Sequence, residues 1–448
     1  MADRYVSIGG NNSGPGTSDS PWATLVYAGL TAQSGDTVFV TAGTYSAGCE
    51  VSASSVSYIA IGEVNVVGDG FRSCFHIEGK DYIKIQGFNM SNNGGNPFVA
   101  ASAGVTIRDL NNVGGTGCSY ITVSDCTFSG INRREQFTYD YGTPFFVYSF
   151  ADERLGHTNC NHIVLKDCSF YASKMDTQSG VFHDHVACVG NVSDVLITGC
   201  YIYHDFSVYN IRGSTLGFGG GQLLSGYPDY PRRVVVSNNY FEYVGTPLGT
   251  VTFPYFTGCK DVLCERNTCV NFGGGIIAVT EDGYNLETRS ERQWYRRNLI
   301  TGVIRNGLTT GTFADTYRSP KNIWATNNTI VKAPIVSGNW LVNLLKLNTT
   351  DSPEGVSGDC YFANNIFIGT PLLRDQGAPV VMEYNDENVG RHVRLSNIDR
   401  STPSWYTPGL FGDYEPVNEL DINGSPAKYC RGAEELVWEK RIRPRLRR

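Results

Sequence analysis

One eight-residue pattern recurs along most of this chain and limits what it can fold into. In its clearest copy, residues 121–128, the apolar residues Ile121, Val123 and Phe128 stand at offsets 0, 2 and 7, and Cys126 stands at offset 5. Side chains two residues apart share one face of a strand, and the altered spacing that follows requires a bend into another strand. Each copy therefore predicts a strand, a corner and a second strand.

The pattern occurs eleven times between residues 38 and 367. Its copies begin at Val38, Val64, Ile83, Ile121, Ile163, Val195, Val234, Val262, Gln293, Ile323 and Cys360. The distance between successive starts runs from 19 residues, after Val64, to 42, after Ile121, which suits one coil of a solenoid with loops of unequal length. Because a single coil cannot bury its apolar face, we expect the coils to stack in register around one long core.

Offset 5 carries the most specific signal. Later copies place asparagine there and earlier ones cysteine: Asn239, Asn267, Asn298, Asn328, Asn365, Cys126, Cys168 and Cys200. Stacked Asn amides can satisfy buried backbone groups at a tight corner, because each amide both donates and accepts. This ladder resembles the right-handed parallel β-helix of the pectate lyase superfamily. A β-sandwich is the alternative for alternating strands, but it gives no reason for a recurrent corner asparagine.

Both ends of the chain add to this resemblance. Residues 5–17, 21–25 and 35–45 look like the N-terminal opening of many β-helix carbohydrate enzymes. Residues 404–414 and 423–427 look like the segment with which those enzymes close. The resemblance implies an all-β fold, a single-stranded right-handed parallel β-helix solenoid with a short N-terminal capping helix.

The capping helix is expected within residues 23–32, where it would cover the open end of the stack. Backbone groups of the first coil would otherwise lack partners there. We expect three regions: 1–37 with the first strand and the capping helix, 38–400 with the parallel β-helix, and 401–448 with the closing segment and a basic tail.

The charge of the chain argues against nucleic acid along its body. The formal net charge is −7, and the basic tail consists of Lys440, Arg441, Arg443, Arg445, Arg447 and Arg448. Without that tail, 30 basic residues stand against 43 acidic ones, a balance of −13. We expect no nucleic-acid partner along the body, while the tail either remains solvated or binds an acidic partner or a particle.

The sequence also bears on compartment and metal binding. No apolar run approaches the ~18 residues that span a membrane, and residues 1–5 lack the start of a secretory signal. We therefore expect a soluble chain without a membrane partner, made in a cytoplasm or already cleaved. Most of its 13 cysteines are expected to be reduced core residues. Cys259, Cys264 and Cys269 lack a His or acidic partner at suitable spacing, so no metal site is predicted there.

Two long inserts, residues 91–117 and 129–161, interrupt the regular copies. Loops on one side of a solenoid build its binding face, and aromatic rings mixed with charges suit a sugar polymer. The predicted substrate-binding residues are Arg133, Arg134, Tyr139, Tyr141, Tyr148, Glu281 and Asp282. The alternative is that these aromatic side chains pack the loop onto the solenoid or form a subunit interface.

The resemblance also implies a catalytic floor, because in this superfamily the strand before the corner-bearing one forms the base of a groove. Those strands are expected near residues 145–150, 181–187, 251–256 and 275–281. If Phe182 and Val186 point inward, His183 and His185 point outward together. The candidate catalytic residues are His183, Asp184, His185, His204, Asp205, Tyr209, Arg212 and Lys174.

These residue types suit polysaccharide lyase chemistry. A lyase must neutralise a uronate carboxylate, remove the C5 proton and protonate the leaving oxygen. Arg212 or Lys174, His183 or His185, and Tyr209 are assigned to those three steps, and a C5-epimerase needs nearly the same set. The clustered aspartates of the polygalacturonase-like hydrolases are missing, and the Ca²⁺ cluster of pectate lyases has no match. A structural role, in which the histidines bond to neighbouring coils, is the alternative.

Three functions follow from these patterns. The first is a virion-type surface β-helix protein, of tailspike or head-decoration type, that presents a groove to a surface polysaccharide, is homotrimeric and lies on a virion or outside the cell. The second is a polysaccharide lyase or C5-epimerase acting on an acidic polysaccharide. The third is a non-catalytic glycan-binding scaffold. No cofactor is expected, except that Ca²⁺ would accompany a lyase.

Overall fold

The computed structural model describes residues 2–68, 72–92, 103–109, 115–130, 143–149, 151, 153, 156–171, 185–205, 213–214, 216–219, 230–244, 251–252, 255–271, 276–279, 290–303, 308–311, 321–326, 328–332, 342–344, 360–363, 366–368, 373–375, 380–383, 405–407, 409–411, 414 and 416. It forms two compact units. The first is Met1–Gly217 with Val244–Gly249, and the second is Phe218–Tyr243 with Thr250–Arg448. Within the described residues, no helix has the length and apolar character needed to cross a membrane.

The first half of the chain contains the one described helix, α1 (Leu25–Thr31). Its strands are β1 (Asp3–Val6), β2 (Thr37–Ser46), β3 (Cys49–Val51), β4 (Ser57–Gly68), β5 (Phe75–Glu78), β6 (Asp81–Asn92), β7 (Val105–Arg108), β8 (Ser119–Ser124), β9 (Thr127–Phe128), β10 (Phe145–Ser149), β11 (Cys160–Lys166), β12 (Ser169–Tyr171), β13 (Val186–Gly190), β14 (Val192–Thr198), β15 (Tyr201–Asp205) and β16 (Gly213–Ser214).

The later strands are β17 (Leu216–Gly219), β18 (Arg232–Ser237), β19 (Tyr240–Val244), β20 (Val251–Thr252), β21 (Tyr255–Thr257), β22 (Lys260–Glu265), β23 (Thr268–Val270), β24 (Ile276–Val279), β25 (Glu291–Arg296), β26 (Leu299–Val303), β27 (Leu308–Gly311), β28 (Lys321–Thr326), β29 (Thr329–Lys332), β30 (Val342–Leu344), β31 (Cys360–Ala363), β32 (Ile366–Ile368), β33 (Leu373–Asp375) and β34 (Val380–Glu383).

Each unit is a stack of coils joined by parallel strand pairing. In the first unit, β2, β4, β6, β8, β11 and β14 pair in succession on one sheet, and β3, β5, β7, β10 and β13 form a second sheet. In the second unit, β18, β22, β25, β28, β31 and β34 pair in succession, and so do β21, β24, β27, β30 and β33. The chain is thus an all-β parallel β-helix, as the repeat predicts.

The coil begins beneath a helical cap, which confirms the expected short helix. Thr24 is its N-cap and accepts a hydrogen bond at its hydroxyl from the Tyr27 backbone N–H at 3.1 Å. Gly29 allows the helix to approach β3, because a Cβ atom there would lie 2.6 Å from the Glu50 carbonyl oxygen. The helix therefore packs beside β3, the edge strand of the second sheet.

The corner ladder of asparagines is confirmed in the second unit. Asn298 donates from Nδ2 to Asn328 Oδ1 at 3.0 Å and to the Cys264 carbonyl at 3.0 Å. Its own Oδ1 accepts from the backbone N–H and from Nδ2 of Asn267, both at 3.0 Å. Asn239 repeats the bond to Asn267 at 3.0 Å. Each amide thus satisfies backbone groups on the preceding coil and links the two coils.

Cysteine takes the same place in the first unit. The Cys126 thiol contacts the Ser124 carbonyl at 3.2 Å, and the Cys168 thiol contacts the Lys166 carbonyl at 3.3 Å. Burial raises the pKa of the Cys168 thiol well above its ordinary value, with smaller contributions from its Cys neighbours. The cysteines whose side chains the structure describes are all buried free thiols, which confirms their expected role in the core.

Two of the eleven proposed copies are out of register. Val64 pairs with Phe88, not with Ile83, so it stands at offset 5 of the pattern. Val38 pairs with Tyr58, which in turn pairs with Ile85, so Val38 stands at offset 2. The two coils pass their corners with register shifts inside β2 and β4, which change the spacing of the apolar residues.

Candidate functional site

A row of charged and polar side chains crosses the second sheet of the first unit. Along its strands, inward residues such as Cys49, Phe75 and Ile77 are almost fully buried. The residues between them face the other way, because side chains alternate along a strand. We call the outward set the outer row: Glu50, His76, Glu78, Arg108 and Tyr148.

Strand register sets the outer row. Glu50 on β3 pairs with His76 on β5, and Glu78 on β5 pairs with Arg108 on β7. Arg108 in turn pairs with Tyr148 on β10. Four strands that are distant in sequence therefore bring these side chains side by side at the spacing of neighbouring strands.

The side chains of the outer row form a continuous chain of contacts. His76 Nδ1 lies 2.7 Å from Glu50 Oε2, and His76 Nε2 lies 3.9 Å from Glu78 Oε2. Arg108 donates from Nη2 to Glu78 Oε2 at 2.9 Å and from Nη1 to the Tyr148 hydroxyl at 3.2 Å. One imidazole, two carboxylates, one guanidinium and one phenol are thus connected by contacts between neighbouring strands and by a step of two residues along β5, from His76 to Glu78.

Arg108 is the fixed positive charge of the outer row. Its partial burial acts to lower its pKa, but hydrogen bonds to Tyr148 and Glu78 outweigh that effect, so the pKa of the guanidinium is raised. The side chain keeps 23% of its surface exposed. The cation is therefore permanent and still reachable by a negatively charged ligand.

The outer row has an aromatic neighbour and a polar one. The ring of Phe146 lies 5.1 Å from the ring of Tyr148, tilted by 34°. Ser73 and Thr106 share a buried hydrogen bond of 2.7 Å beside His76 on the same sheet. Aromatic rings beside charged groups suit a sugar, whose apolar ring faces pack on aromatic surfaces while its hydroxyl and carboxylate groups contact polar side chains.

Two buried thiols hold the backbone beneath the outer row. Cys118 donates to the Arg108 carbonyl at 3.1 Å, and the Cys160 thiol contacts the Tyr148 carbonyl at 3.7 Å. A hydrogen bond from Cys160 lowers the pKa of Cys118, although burial opposes it, whereas burial raises the pKa of Cys160. These contacts tie the ends of β7 and β10 to the core.

The structure corrects the predicted orientation of His185. This side chain is 1% exposed instead of pointing outward, because β13 begins at Val186 and not near residue 181. Val186 pairs with Phe145, so His185 lies just before the strand and turns into the interior. There its Nε2 lies 3.4 Å from Nδ1 of the buried His204. These two candidate catalytic residues thus lie close together, but at a buried position.

Among the other predicted site residues, the structure describes the side chain of only one, Tyr148. Tyr148 lies in the outer row. Asp205 ends β15, and its side chain lies outside the described residues. Also outside them are His183, Asp184, Tyr209, Arg212, Lys174, Arg133, Arg134, Tyr139, Tyr141, Glu281 and Asp282. The roles assigned to these residues remain predictions.

The other four residues of the outer row were not predicted from the sequence: Glu50, His76, Glu78 and Arg108. Their signal is weak but present, since Glu50, His76 and Arg108 each interrupt a short apolar alternation. These strands lie between copies of the repeat, and nothing local to any one of them indicates its partners. Only the stacking of coils assembles the set.

Calcium binding does not suit the outer row. Ca²⁺ takes six to eight oxygen ligands, several of them carboxylate oxygens. Here Glu50 and Glu78 contact different edges of the His76 ring, and Glu78 already pairs with Arg108. Among the described side chains, no three His, Cys, Asp or Glu residues converge as a metal site. We therefore assign no role in the chemistry of these side chains to the Ca²⁺ that a lyase would be expected to bind.

Known proteins share the fold of this chain. No family model matches the sequence, and no curated protein matches it. The structure is similar to a mannuronic acid specific polysaccharide family 6 lyase from human gut microbiota, with a TM-score of 0.50, 14% identity, and coverage of 85% of this chain and 83% of that one. It is also similar to XylC, determined with xylose, with a TM-score of 0.50, 11% identity, and coverage of 85% and 86%. The likeness shows the fold, a parallel β-helix.

Proposed function

We propose that this protein is a lyase or C5-epimerase of an acidic polysaccharide and that the outer row is its active site. One observation carries the proposal: a cation, a histidine–carboxylate pair and a phenol are joined by contacts on one partly exposed sheet face. These are the groups that removal of a proton beside a carboxylate requires. The fold shared with a polysaccharide lyase supports the same class of substrate.

Arg108 is assigned to the substrate carboxylate. Withdrawal of the C5 proton turns the uronate into an enolate-like dianion, and a fixed cation beside it lowers the energy of that state. The bonds to Glu78 and Tyr148 hold the guanidinium plane before substrate arrives. No reorientation of the cation is then needed during the reaction.

His76 is assigned to the base. When the Nδ1 proton is donated to Glu50, Nε2 carries the lone pair that accepts the C5 proton, and the Glu50 carboxylate stabilises the resulting imidazolium. Nε2 is buried and has no hydrogen-bond partner among the described residues, so the assignment requires that substrate binding uncover this atom. Glu50 thus acts on His76 as a carboxylate that fixes the tautomer.

Tyr148 is assigned to the acid. In a lyase, the electron pair left at C5 forms a C4–C5 double bond, the C4–O bond breaks, and the departing oxygen takes the phenolic proton. In an epimerase, the C4–O bond stays intact and a proton returns to C5 from the opposite face. The same three groups, Arg108, His76 and Tyr148, are assigned in both reactions.

A single experiment separates these reactions. The protein is incubated in D₂O with a panel of acidic polysaccharides, and absorbance of unsaturated uronates and deuterium at C5 are followed together. A lyase gives absorbance, and an epimerase gives deuterium without cleavage. His76→Gln should abolish both, whereas His162→Gln, on β11, should leave them intact. The proposal fails if neither signal forms across pH, with or without Ca²⁺.

The other roles predicted from the sequence remain open to test. A virion-type surface protein, a homotrimer and an acidic or particle partner for the basic tail stay predictions. A glycan-binding scaffold is the result to expect if the polymer binds and neither signal forms. Since polysaccharides of this kind lie outside cells, we place the protein extracellularly or on a virion surface.

A further inference from the structure

We infer that the first unit carries a second carbohydrate site, in which a sugar ring of a polysaccharide stacks on the exposed ring of Tyr82. Tyr82 lies on β6, in the sheet that β2, β4 and β8 share, whereas the outer row lies on β3, β5, β7 and β10 of the other sheet. The inference therefore goes beyond the proposed function, and the reaction assigned to the outer row does not use this site.

Tyr82 belongs to a row of residues that stand at the same corner of successive coils. Strand register places Ser55 on one side of Tyr82 and Tyr120 on the other. Gly35 lies beyond Ser55 and donates its backbone N–H to the Ser55 carbonyl at 2.7 Å, and His162 lies beyond Tyr120. All five residues have positive φ, from 52° to 88°. We call them the corner row.

The aromatic rings of the corner row form a stack that ends at Tyr82. The Tyr82 and Tyr120 rings are 4.7 Å apart and 2° from parallel, and the Tyr120 and His162 rings are 4.4 Å apart. Rings therefore cover both faces of Tyr120. Among the described rings, only Tyr120 stacks on Tyr82, so the outer face of the Tyr82 ring is turned toward Ser55.

The space on that outer face has the thickness of one ring. Neighbouring strands are about 4.8 Å apart, and the 4.7 Å between the two tyrosine rings shows that one ring fills one such spacing. Ser55 has only a hydroxymethyl group, and Gly35, one spacing farther, has no side chain. Tyr82 accordingly keeps 57% of its surface exposed. A flat ring can therefore lie on Tyr82 at the level of Ser55, where a further aromatic side chain would continue the stack.

The backbone at this corner disfavours tyrosine. Residues with bulky side chains rarely adopt a φ of 57°, the value at Tyr82, because the side chain crowds the backbone there. Gly35 shows that the same corner can be made without a side chain. Strained backbone conformations cluster at ligand-binding positions, which favours a binding role for the exposed Tyr82 ring.

A sugar ring fits the chemistry of this place better than an aromatic side chain of another protein does. The C–H groups on one face of a pyranose pack on the π face of tyrosine, while the hydroxyl groups at its edge need polar partners. Ser55 supplies a hydroxyl at the same level. Lys84 alternates with the buried Ile83 and Ile85, so it supplies an ammonium group on the outer side of β6. A purely aromatic ring would bond to neither group.

The test measures the Kd of a polyuronate and of a neutral β-glucan by calorimetry. All measurements use the His76→Gln background, which should leave both polymers intact. The glucan has no carboxylate for Arg108, so its affinity reports on the Tyr82 site alone. Tyr82→Asn removes the ring with a residue that tolerates positive φ and should raise the Kd on the order of tenfold. Tyr82→Phe keeps the ring and should change the Kd by less than about twofold.

His162→Gln is the matched control. It removes the ring at the other end of the same stack, so it also loses one ring contact, and it should leave the Kd unchanged. Ser55→Arg is a second variant that keeps Tyr82. Its guanidinium can lie over the Tyr82 ring, cover the outer face and weaken glucan binding to a similar extent. Chemical unfolding confirms that each variant is folded.

The inference is overturned if neither polymer binds, if Tyr82→Asn leaves the Kd of both polymers unchanged, or if Tyr82→Asn and His162→Gln weaken binding equally. It is also overturned if Ser55→Arg binds glucan as the background does. If glucan binding depends on Tyr82 but wild-type protein turns over no polyuronate, the proposed reaction fails and the second site stands. If turnover occurs and no Kd depends on Tyr82, the second site fails and the proposed reaction stands.

Discussion

The guanidinium of Arg108 donates from Nη2 to Glu78 Oε2 at 2.9 Å, between strands β7 and β5 that pair directly. The other terminal nitrogen donates to Tyr148. Both ends of the cation are therefore fixed by strands on either side of it. A lysine at this position would keep the charge but could not hold two partners in one plane.

Arg108→Lys should lower kcat/KM on the order of 100-fold, because an ammonium group cannot be held by Glu78 and Tyr148 together and the cation loses its fixed position beside the reacting carboxylate. Stability should change by only about 1 kcal/mol, since the side chain is partly exposed. Steady-state kinetics and chemical unfolding measure the two effects. Arg292→Lys, which breaks a comparable bidentate pair with Asp261 in the second unit, is the control and should leave kcat/KM unchanged. Equal kinetic losses in the two variants would contradict the assignment.

Asn298→Ala should destabilise the second unit by about 3 kcal/mol or more. The substitution leaves the Cys264 carbonyl and the Asn267 backbone N–H buried without these partners, and each such group costs about 1–3 kcal/mol. Asn298→Cys, which copies the corner of the first unit, should lose less. Chemical unfolding of both variants measures the difference. Equal stability of Asn298→Ala and wild type would show that the ladder is not a source of stability.

Glu265 should make the second unit sensitive to acid. Burial acts to raise the pKa of its carboxyl, but the charges of Arg296 and Arg266 outweigh burial and hold the pKa below the ordinary 4.5. Because the pKa is lowered in the folded state, the stabilisation is complete above the unfolded value and is lost as pH falls through the folded one. We expect this contribution to decline below about pH 4.5.

The variant Glu265→Gln isolates that contribution. It leaves Arg296, which is 2% exposed, without its carboxylate partner and should cost about 3 kcal/mol at neutral pH. The gap from wild type should narrow as the pH is lowered below 4.5. Unfolding curves over a pH series measure it, with Glu63→Gln as the exposed control. A gap that stays constant with pH would contradict the role given to ionised Glu265.

Tyr120 should stabilise the first unit through an external ring stack. Its ring lies 4.7 Å from Tyr82 and 4.4 Å from His162, although its backbone has φ 58°, in the left-handed region. Tyr120→Ala should cost about 1–2 kcal/mol, because two ring contacts are lost and the strain remains. Tyr120→Asn should cost less, since Asn tolerates this conformation. Identical stabilities of the two variants would rule out a backbone contribution.

Sequence and structure agree where one residue type repeats at one place in the coil. Asn267, Asn298 and Asn328 could be aligned from the amino-acid pattern alone, because a corner asparagine bonds mainly to the coils directly beside its own. The pattern predicted the wrong register for Val64, because a register shift changes the spacing of the apolar residues there. Periodicity detects alternation but does not locate an irregular corner.

The candidate site could not be located from the sequence in the same way. The two histidines within residues 183–185 were predicted to point outward as part of a site. Because β13 starts at Val186, His185 lies in the interior instead. Glu50, His76 and Arg108 lie 26 and 32 residues apart, as the numbering shows, on three strands too short to be distinctive. Their proximity depends on how many residues each intervening loop contains. A single sequence does not reveal that alignment.

The parallel register of β3, β5, β7 and β10 has a consequence for any polymer that lies along them. Main-chain bonds fix the separation of these strands, so the outer row resembles a one-dimensional lattice whose period the side chains cannot adjust. A chain of sugars has a period of its own. A polymer that lies across these strands therefore meets the charged groups only at the strand spacing of about 4.8 Å or at multiples of it.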